Sequence, residues 1–145
     1  MDDPVREMRL VVTATDYDDA LAFYRDALGL PELGAFASPD GGRVTILDAG
    51  RATLELTDPR NATYIDEVEV GRRVAGHIRV AFGVSNAAAA TERMVAAGAV
   101  LIAGPVETPW RSRNARLIAP AGLQLTLFEQ LGPEFDEPIT PPQAS

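Results

Sequence analysis

Met8-Arg-Leu-Val-Val-Thr-Ala-Thr-Asp16 is an alternating run that ends on a helix-capping aspartate. Ile78-Arg-Val-Ala-Phe-Gly-Val-Ser-Asn86 repeats the pattern 70 positions later. In the first run Met8, Leu10, Val12 and Ala14 share one face, and Arg9, Val11, Thr13 and Thr15 share the other. That period of two marks a half-buried strand. Asp16 has N-cap chemistry, and Asp18 and Asp19 sit favourably in the first turn of the helix that follows. In the second run Ile78, Val80, Phe82 and Val84 alternate with Arg79, Ala81 and Gly83, and Ser85-Asn86 supplies the cap.

Outward from these anchors each half continues in the same order. Tyr17, Leu21, Tyr24 and Leu28 recur at helical spacing, and Gly29 is placed to end the helix in the left-handed region. Strands are expected at 35–39, 44–49 and 52–58, with Asp40-Gly41-Gly42 and Gly50-Arg51 as turns. In the second half Ala87, Ala90, Met94 and Ala97 form the apolar stripe, Gly98 ends it, and strands are expected at 100–103, 113–119 and 123–129. The offsets agree: Asn86 follows Asp16 by 70 positions, Gly98 follows Gly29 by 69, and Thr126 follows Glu55 by 71. Each half reads strand, helix, strand, strand, strand. One such half buries too little of its own sheet, so the two are expected to pack around a shared interior.

One face of four strands is apolar: Met8/Leu10/Val12, Ala52/Leu54/Leu56, Ile78/Val80/Phe82 and Leu123/Leu125/Leu127. These faces are expected under the two helices. The opposite face is mixed: Arg9/Val11/Thr13, Thr53/Glu55/Thr57, His77/Arg79/Ala81 and Gln124/Thr126/Phe128. If the sheet curls, these polar groups converge in a cleft, the default place for a ligand. Residues 59–75 read as a linker, with Tyr64, Ile65, Val68 and Val70 able to pack as an arm, and Glu67 and Glu69 as a solvated edge. The acidic segment 132–145, with Pro133, Pro138, Pro141 and Pro142, reads as a disordered tail.

Composition bounds the chemistry. The chain has 145 residues, no cysteine and a net charge of −8. Without cysteine there is no disulfide framework, thiolate zinc site or cysteine nucleophile. The acidic balance argues against nucleic-acid binding. No long uncharged apolar run suggests a membrane span, and the first residues lack the order of a signal peptide. A soluble cytoplasmic protein is the expectation. No G-x-S-x-G elbow or phosphate loop is present.

The chain resembles the vicinal oxygen chelate superfamily, which includes glyoxalase, bleomycin-resistance and extradiol dioxygenase proteins. The resemblance is carried by the run 9–16, by Ala20-Leu-Ala-Phe-Tyr-Arg-Asp-Ala-Leu-Gly-Leu30 and by Ala52-Thr-Leu-Glu-Leu-Thr57. In the second half it is carried by Thr91-Glu-Arg-Met-Val-Ala-Ala-Gly98 and Ala119-Pro-Ala-Gly-Leu-Gln-Leu-Thr-Leu-Phe-Glu129. It implies an α+β fold in residues 6–131: two tandem βαβββ modules (about 6–58 and 76–131) forming a curved mixed sheet around a shared cleft, usually in a homodimer. It also implies a divalent metal held by one side chain on the first and last strand of each module. Registered here, those positions are Arg9, Glu55, Arg79 and Thr126. A guanidinium has no lone pair for a metal, and a zinc or iron site wants about three His or carboxylate ligands.

No cofactor is therefore expected. The alternative is a Zn, Fe, Mn or Ni site using His77 and Glu55. His77 lies two residues short of the ligand position, ~6–7 Å along the strand, and needs a bulge to reach it. The favoured reading is a small-molecule-binding protein of the bleomycin-resistance kind, with Arg9, Thr13, Glu55, Arg79, Trp110, Arg113, Thr126 and Phe128 as ligand-binding candidates. Glu55 is expected to bridge Arg9 and Arg79 across the cleft floor. Related proteins carry a Pro-Trp segment like Pro109-Trp110 before the seventh strand. Trp110 with Arg111, Arg113 and Arg116 suits stacking on a planar ligand, or else Trp110 covers a dimer interface above surface arginines. A metal-dependent lyase, dioxygenase or epimerase, and a cofactorless catalyst with Glu55 as general base, are the competing readings.

Overall fold

The alternating runs become the two central strands of one sheet. In a computed structural model of the chain, residues 4–133 are described. The tail expected at 132–145 lies almost wholly outside them. Strands are β1 (Glu7–Thr13), β2 (Glu32–Ala37), β3 (Arg43–Asp48), β4 (Thr53–Thr57), β5 (Ile78–Gly83), β6 (Val100–Glu107), β7 (Ser112–Ile118) and β8 (Gln124–Gln130). Helices are α1 (Tyr17–Leu21), α2 (Pro59–Glu69) and α3 (Ala87–Ala96). The eight strands form one sheet in the order β2-β3-β4-β1-β5-β8-β7-β6. The two modules join where β1 runs antiparallel to β5.

The repeat read from the offsets is a local two-fold in this sheet. Leu10 pairs with Val80, Arg9 with Ala81 and Val11 with Arg79, so Arg9 and Arg79 occupy equivalent places. β4 runs parallel to β1 with Glu55 beside Val11, and β8 runs parallel to β5 with Thr126 beside Ala81.

Both helix caps form as the sequence predicts. Asp16 accepts from the Asp19 N–H and Asn86 from the Ala89 N–H. α1 relaxes into a wider π-type turn over Ala22–Ala27 before Gly29, whose φ of +86° favours glycine. α1 covers one end of the outer sheet face, where Tyr17, Leu47 and Leu56 are buried against Val12, Leu21 and Tyr24. α3 covers the other end over Ala115, Leu117 and Leu127, with Phe82 and Met94 alongside. Between the helices the outer face is bare, and the Met8 and Ile78 expected under them remain exposed. β6 extends four residues beyond its expected end. It tolerates Pro105 because it is an edge strand, and its register shifts against β7.

The segment read as a linker arm forms a regular helix over its first eleven residues. Asp58 caps α2 by accepting from the Asn61 N–H, and Pro59 sits in its first turn. α2 lies on the face opposite α1 and α3, touching β3 of one module and β6 and β7 of the other. Of its apolar residues, Ala62 and Ile65 are buried. Among the described residues no helix is long and apolar enough to cross a membrane.

Candidate functional site

The concave face opposite α1 and α3 forms a cup, and strand parity decides what enters it. Two rows cross its floor. Glu55, Val11 and Arg79 lie side by side on β4, β1 and β5. Arg9, Ala81, Thr126 and Arg116 lie side by side on β1, β5, β8 and β7. The four positions registered from sequence thus share one face.

Their contacts differ from the expected bridge. Arg9, which is buried, donates from Nε and Nη2 to the two Glu7 carboxylate oxygens at 3.0 and 3.2 Å. Its guanidinium carbon lies 4.4 Å from the centroid of the buried Phe128 ring, within cation–π range. Gly83 makes room for that ring: a Cβ there would come 2.9 Å from Phe128 Cζ. Arg79, also buried, donates from Nη1 to Thr126 Oγ1 at 2.8 Å. Burial, and then the like charge of Arg116, pull Arg79 below the ordinary guanidinium value. The attraction of Glu69, Glu55 and Asp66 opposes this. Glu55 is half-buried and acts on Arg79 as a through-space charge. The Glu55 bridge to both arginines is not made, because Arg9 turns to Glu7 and Phe128 while Arg79 turns to Thr126.

The remaining candidates divide between cup, rim and outer face. Thr13 is half-buried and lines, with Val11, Ala62 and Arg79, a cavity of ≈ 10 Å³, about room for one water. His77 is exposed at the rim, where its carbonyl accepts from the Thr13 N–H at 2.9 Å. The β1–β5 register runs unbroken from Glu7 to Val12, so no bulge brings His77 inward. Trp110 sits in the β6–β7 turn, its ring centroid 6.2 Å from that of Tyr64 on α2. Arg113 does not face the cup. It pairs on the outer face with Glu129 at 3.4 Å and Glu107 at 4.0 Å, and Glu129 in turn accepts from the Ala87 N–H that opens α3.

Sequence reasoning missed the centre of the cup, a buried ion cluster between α2 and β7. Arg116, with no exposure, donates from Nε to Glu69 Oε1 at 2.9 Å and from Nη1 to Gln124 Oε1 at 2.7 Å. Asn114 Nδ2 donates to Glu69 Oε2 at 2.6 Å. Asp66 Oδ1 lies 2.9 Å from Arg116 Nη1, at an angle too bent for a hydrogen bond. Asp66 Oδ2 accepts from the Val74 N–H at 2.7 Å, the Ala75 N–H at 2.8 Å and Arg73 Nη1 at 2.8 Å. Burial pushes Asp66 upward, but these donors together with Arg116 hold it below the ordinary carboxylate range. Glu69 is therefore no solvated edge. Carrying the alternation of Gln124/Thr126/Phe128 across the β7–β8 hairpin would have placed Asn114 and Arg116 in the cup.

The donor set does not suit a metal. At the four family positions Glu55 alone offers a carboxylate, and two of the others are guanidiniums that repel a cation.

A family model described as Glyoxalase/Bleomycin resistance protein/Dioxygenase superfamily matches residues 8–127. No curated protein matches the chain. Among solved structures, a hypothetical protein from Bacillus halodurans C-125 is 20% identical, with 94% of this chain and 100% of that one covered at a TM-score of 0.68. Methylmalonyl-CoA epimerase from Mycobacterium tuberculosis is 22% identical, with 89% and 88% covered at 0.59. A member of the matched superfamily from Vibrio splendidus 12B01 is 12% identical, with 86% and 98% covered at 0.60. At these identities the likeness is one of fold.

Proposed function

The chain belongs to the glyoxalase/bleomycin resistance protein/dioxygenase superfamily, and we propose that within it the chain binds a small organic molecule in its cup without a catalytic metal. The observation that carries this reading is the chemistry of the four family positions. Arg9 and Arg79 stand, buried, where the superfamily's enzymes place metal ligands. Guanidiniums there serve recognition of polar and planar groups, directionally and without a change of charge. Thr126 and Glu55 add a hydroxyl and a carboxylate. Trp110, half-buried beside Tyr64, offers a flat surface and, as the sole tryptophan, an optical probe.

The test is a small-molecule screen read by Trp110 fluorescence, followed by titration of each hit against Arg79→Met. The reading expects saturable hits that the variant loses or weakens by about tenfold or more, the loss of about one charge-assisted hydrogen bond. Hits that bind the variant equally well place the ligand elsewhere and overturn the reading.

A second reading keeps Glu55 as general base of a cofactorless catalyst. It is favoured by a half-buried carboxylate that shares the floor with Arg79. Under it, Glu55→Gln abolishes turnover and spares binding. Self-association as a homodimer belongs to the same proposal and is supported by the bare outer face, where Met8 is 41% and Ile78 44% exposed. Sedimentation equilibrium checks it.

A further inference from the structure

The cup floor is already occupied, by the chain itself. Two carboxylates one helical turn apart on α2, Asp66 and Glu69, sit on Arg116, and Asn114 closes on the second of them. We propose that α2 is an internal stand-in for a small dicarboxylate, and that the floor beneath it, formed by Arg79, Arg116, Asn114 and Gln124, takes such a ligand when α2 lifts. The inference rests on the reading of the cup as a small-molecule site and names the ligand class for it.

Three observations carry it. First, α2 leaves the floor's donors incompletely met. Arg79 and Arg116 are buried, and Arg79 finds a hydroxyl, Thr126 Oγ1, rather than a carboxylate. Arg116 also keeps a buried Nη2 with no hydrogen-bond partner. A buried guanidinium N–H left unpaired is costly, and a carboxylate free of the helix backbone can reach it where Asp66 does not.

Second, α2 is held by polar contacts more than by a core. Ala62 and Ile65 are its buried apolar residues, whereas Leu47, Leu56, Leu117 and Leu127 are buried beneath the outer helices. Its other grips are Asn61 Nδ2 donating to Thr57 Oγ1 at 2.9 Å and Tyr64 against Trp110. What holds α2 down is therefore chiefly the ion cluster, the one set of contacts that an external dicarboxylate can replace.

Third, the chain after α2 is a loop tied mainly to the helix itself, through Arg73, Val74 and Ala75 donating to Asp66. Gly71 has a φ of +92°, and residues 70–77 contain no regular structure before β5.

Because the competing ligand is covalently attached, the apparent Kd is the intrinsic Kd divided by the fraction of molecules in which α2 has lifted. Weakening the internal ligand should therefore strengthen the external one. The full chain is titrated with succinate and glutarate, with butyrate and succinamide as controls. Trp110 fluorescence and hydrogen exchange are followed together. Binding of the dicarboxylates should speed amide exchange in 59–70, slow it in 112–118, and shift Trp110 emission as Tyr64 leaves it. Succinamide should do none of this. Glu69→Gln should tighten succinate binding about tenfold, and Arg116→Lys should abolish it.

The exchange experiment on the unaltered chain stands even if a variant fails to fold. The proposal is overturned if dicarboxylates bind while α2 stays protected, if succinamide binds as well as succinate, or if no dicarboxylate binds. In the last case a neutral hit lost in Arg79→Met would show that the cup binds small molecules and that only the role given to α2 is wrong. A screen with no hits at all removes both.

Discussion

Replacing Asp66 by asparagine keeps the shape of the side chain and removes the charge that faces Arg116. The amide oxygen retains the Val74, Ala75 and Arg73 donors now on Oδ2, while the amide nitrogen turns to a guanidinium that can only donate. Both Asp66 and Arg116 have no side-chain exposure, so solvent screens neither. Removing one partner of a buried pair costs about 3–5 kcal/mol. Glu69 still neutralises Arg116, which places Asp66→Asn near the lower end, about 3 kcal/mol. Urea unfolding reads this as a midpoint lowered by at least about 1 M at unchanged slope. The effect depends on pH in a defined direction. Asp66 is held below the ordinary carboxylate value in the folded chain, so the native state binds its proton less tightly than the unfolded state. Its stabilisation is complete above the unfolded value of about 3.9 and is lost as pH falls through the lower folded value. The gap between wild type and variant should be full at neutral pH and close below about pH 4. A gap under about 1 kcal/mol at neutral pH, or one that persists in acid, would refute the buried-pair account.

Two further substitutions test how α2 and α3 are seated. Gly42→Ala would place a Cβ 2.3 Å from the Asn61 amide nitrogen and 2.6 Å from its Cα. Backbone must shift there, so a loss of about 1–3 kcal/mol is expected, with exchange in α2 accelerated ahead of β5 and β8. Asn86→Ala removes the α3 cap on the Ala89 N–H and should cost about 1 kcal/mol by chemical denaturation, with α2 exchange unchanged.

The sheet was legible because its signals are local. Alternation at Arg9–Thr13 and Arg79–Gly83 defines the strands, Asp16 and Asn86 cap the helices, and the constant offset between halves appears as the Leu10–Val80 two-fold. Parity then placed Arg9, Glu55, Arg79 and Thr126 on one face. The cup's contents were not legible because they join distant segments. Glu69 and Arg116 are 47 positions apart, and nothing near either announces the other. The Asp58-Pro59 cap was an available sign of α2, but a helix so poor in buried apolar residues leaves little stripe to read. Arg113 was misplaced by proximity in sequence, because alternation sends it to the face opposite Asn114 and Arg116. The expected Glu55 bridge failed for a related reason, since sequence gave no sign that Glu7 and Phe128 would engage Arg9.

The central claim is that guanidiniums have replaced the metal in this cup, and metal content tests it most directly. The purified chain is incubated with Zn, Fe, Mn and Ni in turn, desalted, and analysed by inductively coupled plasma mass spectrometry, with Glu55→Gln measured in parallel. The account predicts metal far below one ion per chain and no difference between the two proteins. Near-stoichiometric metal that Glu55→Gln abolishes would contradict it.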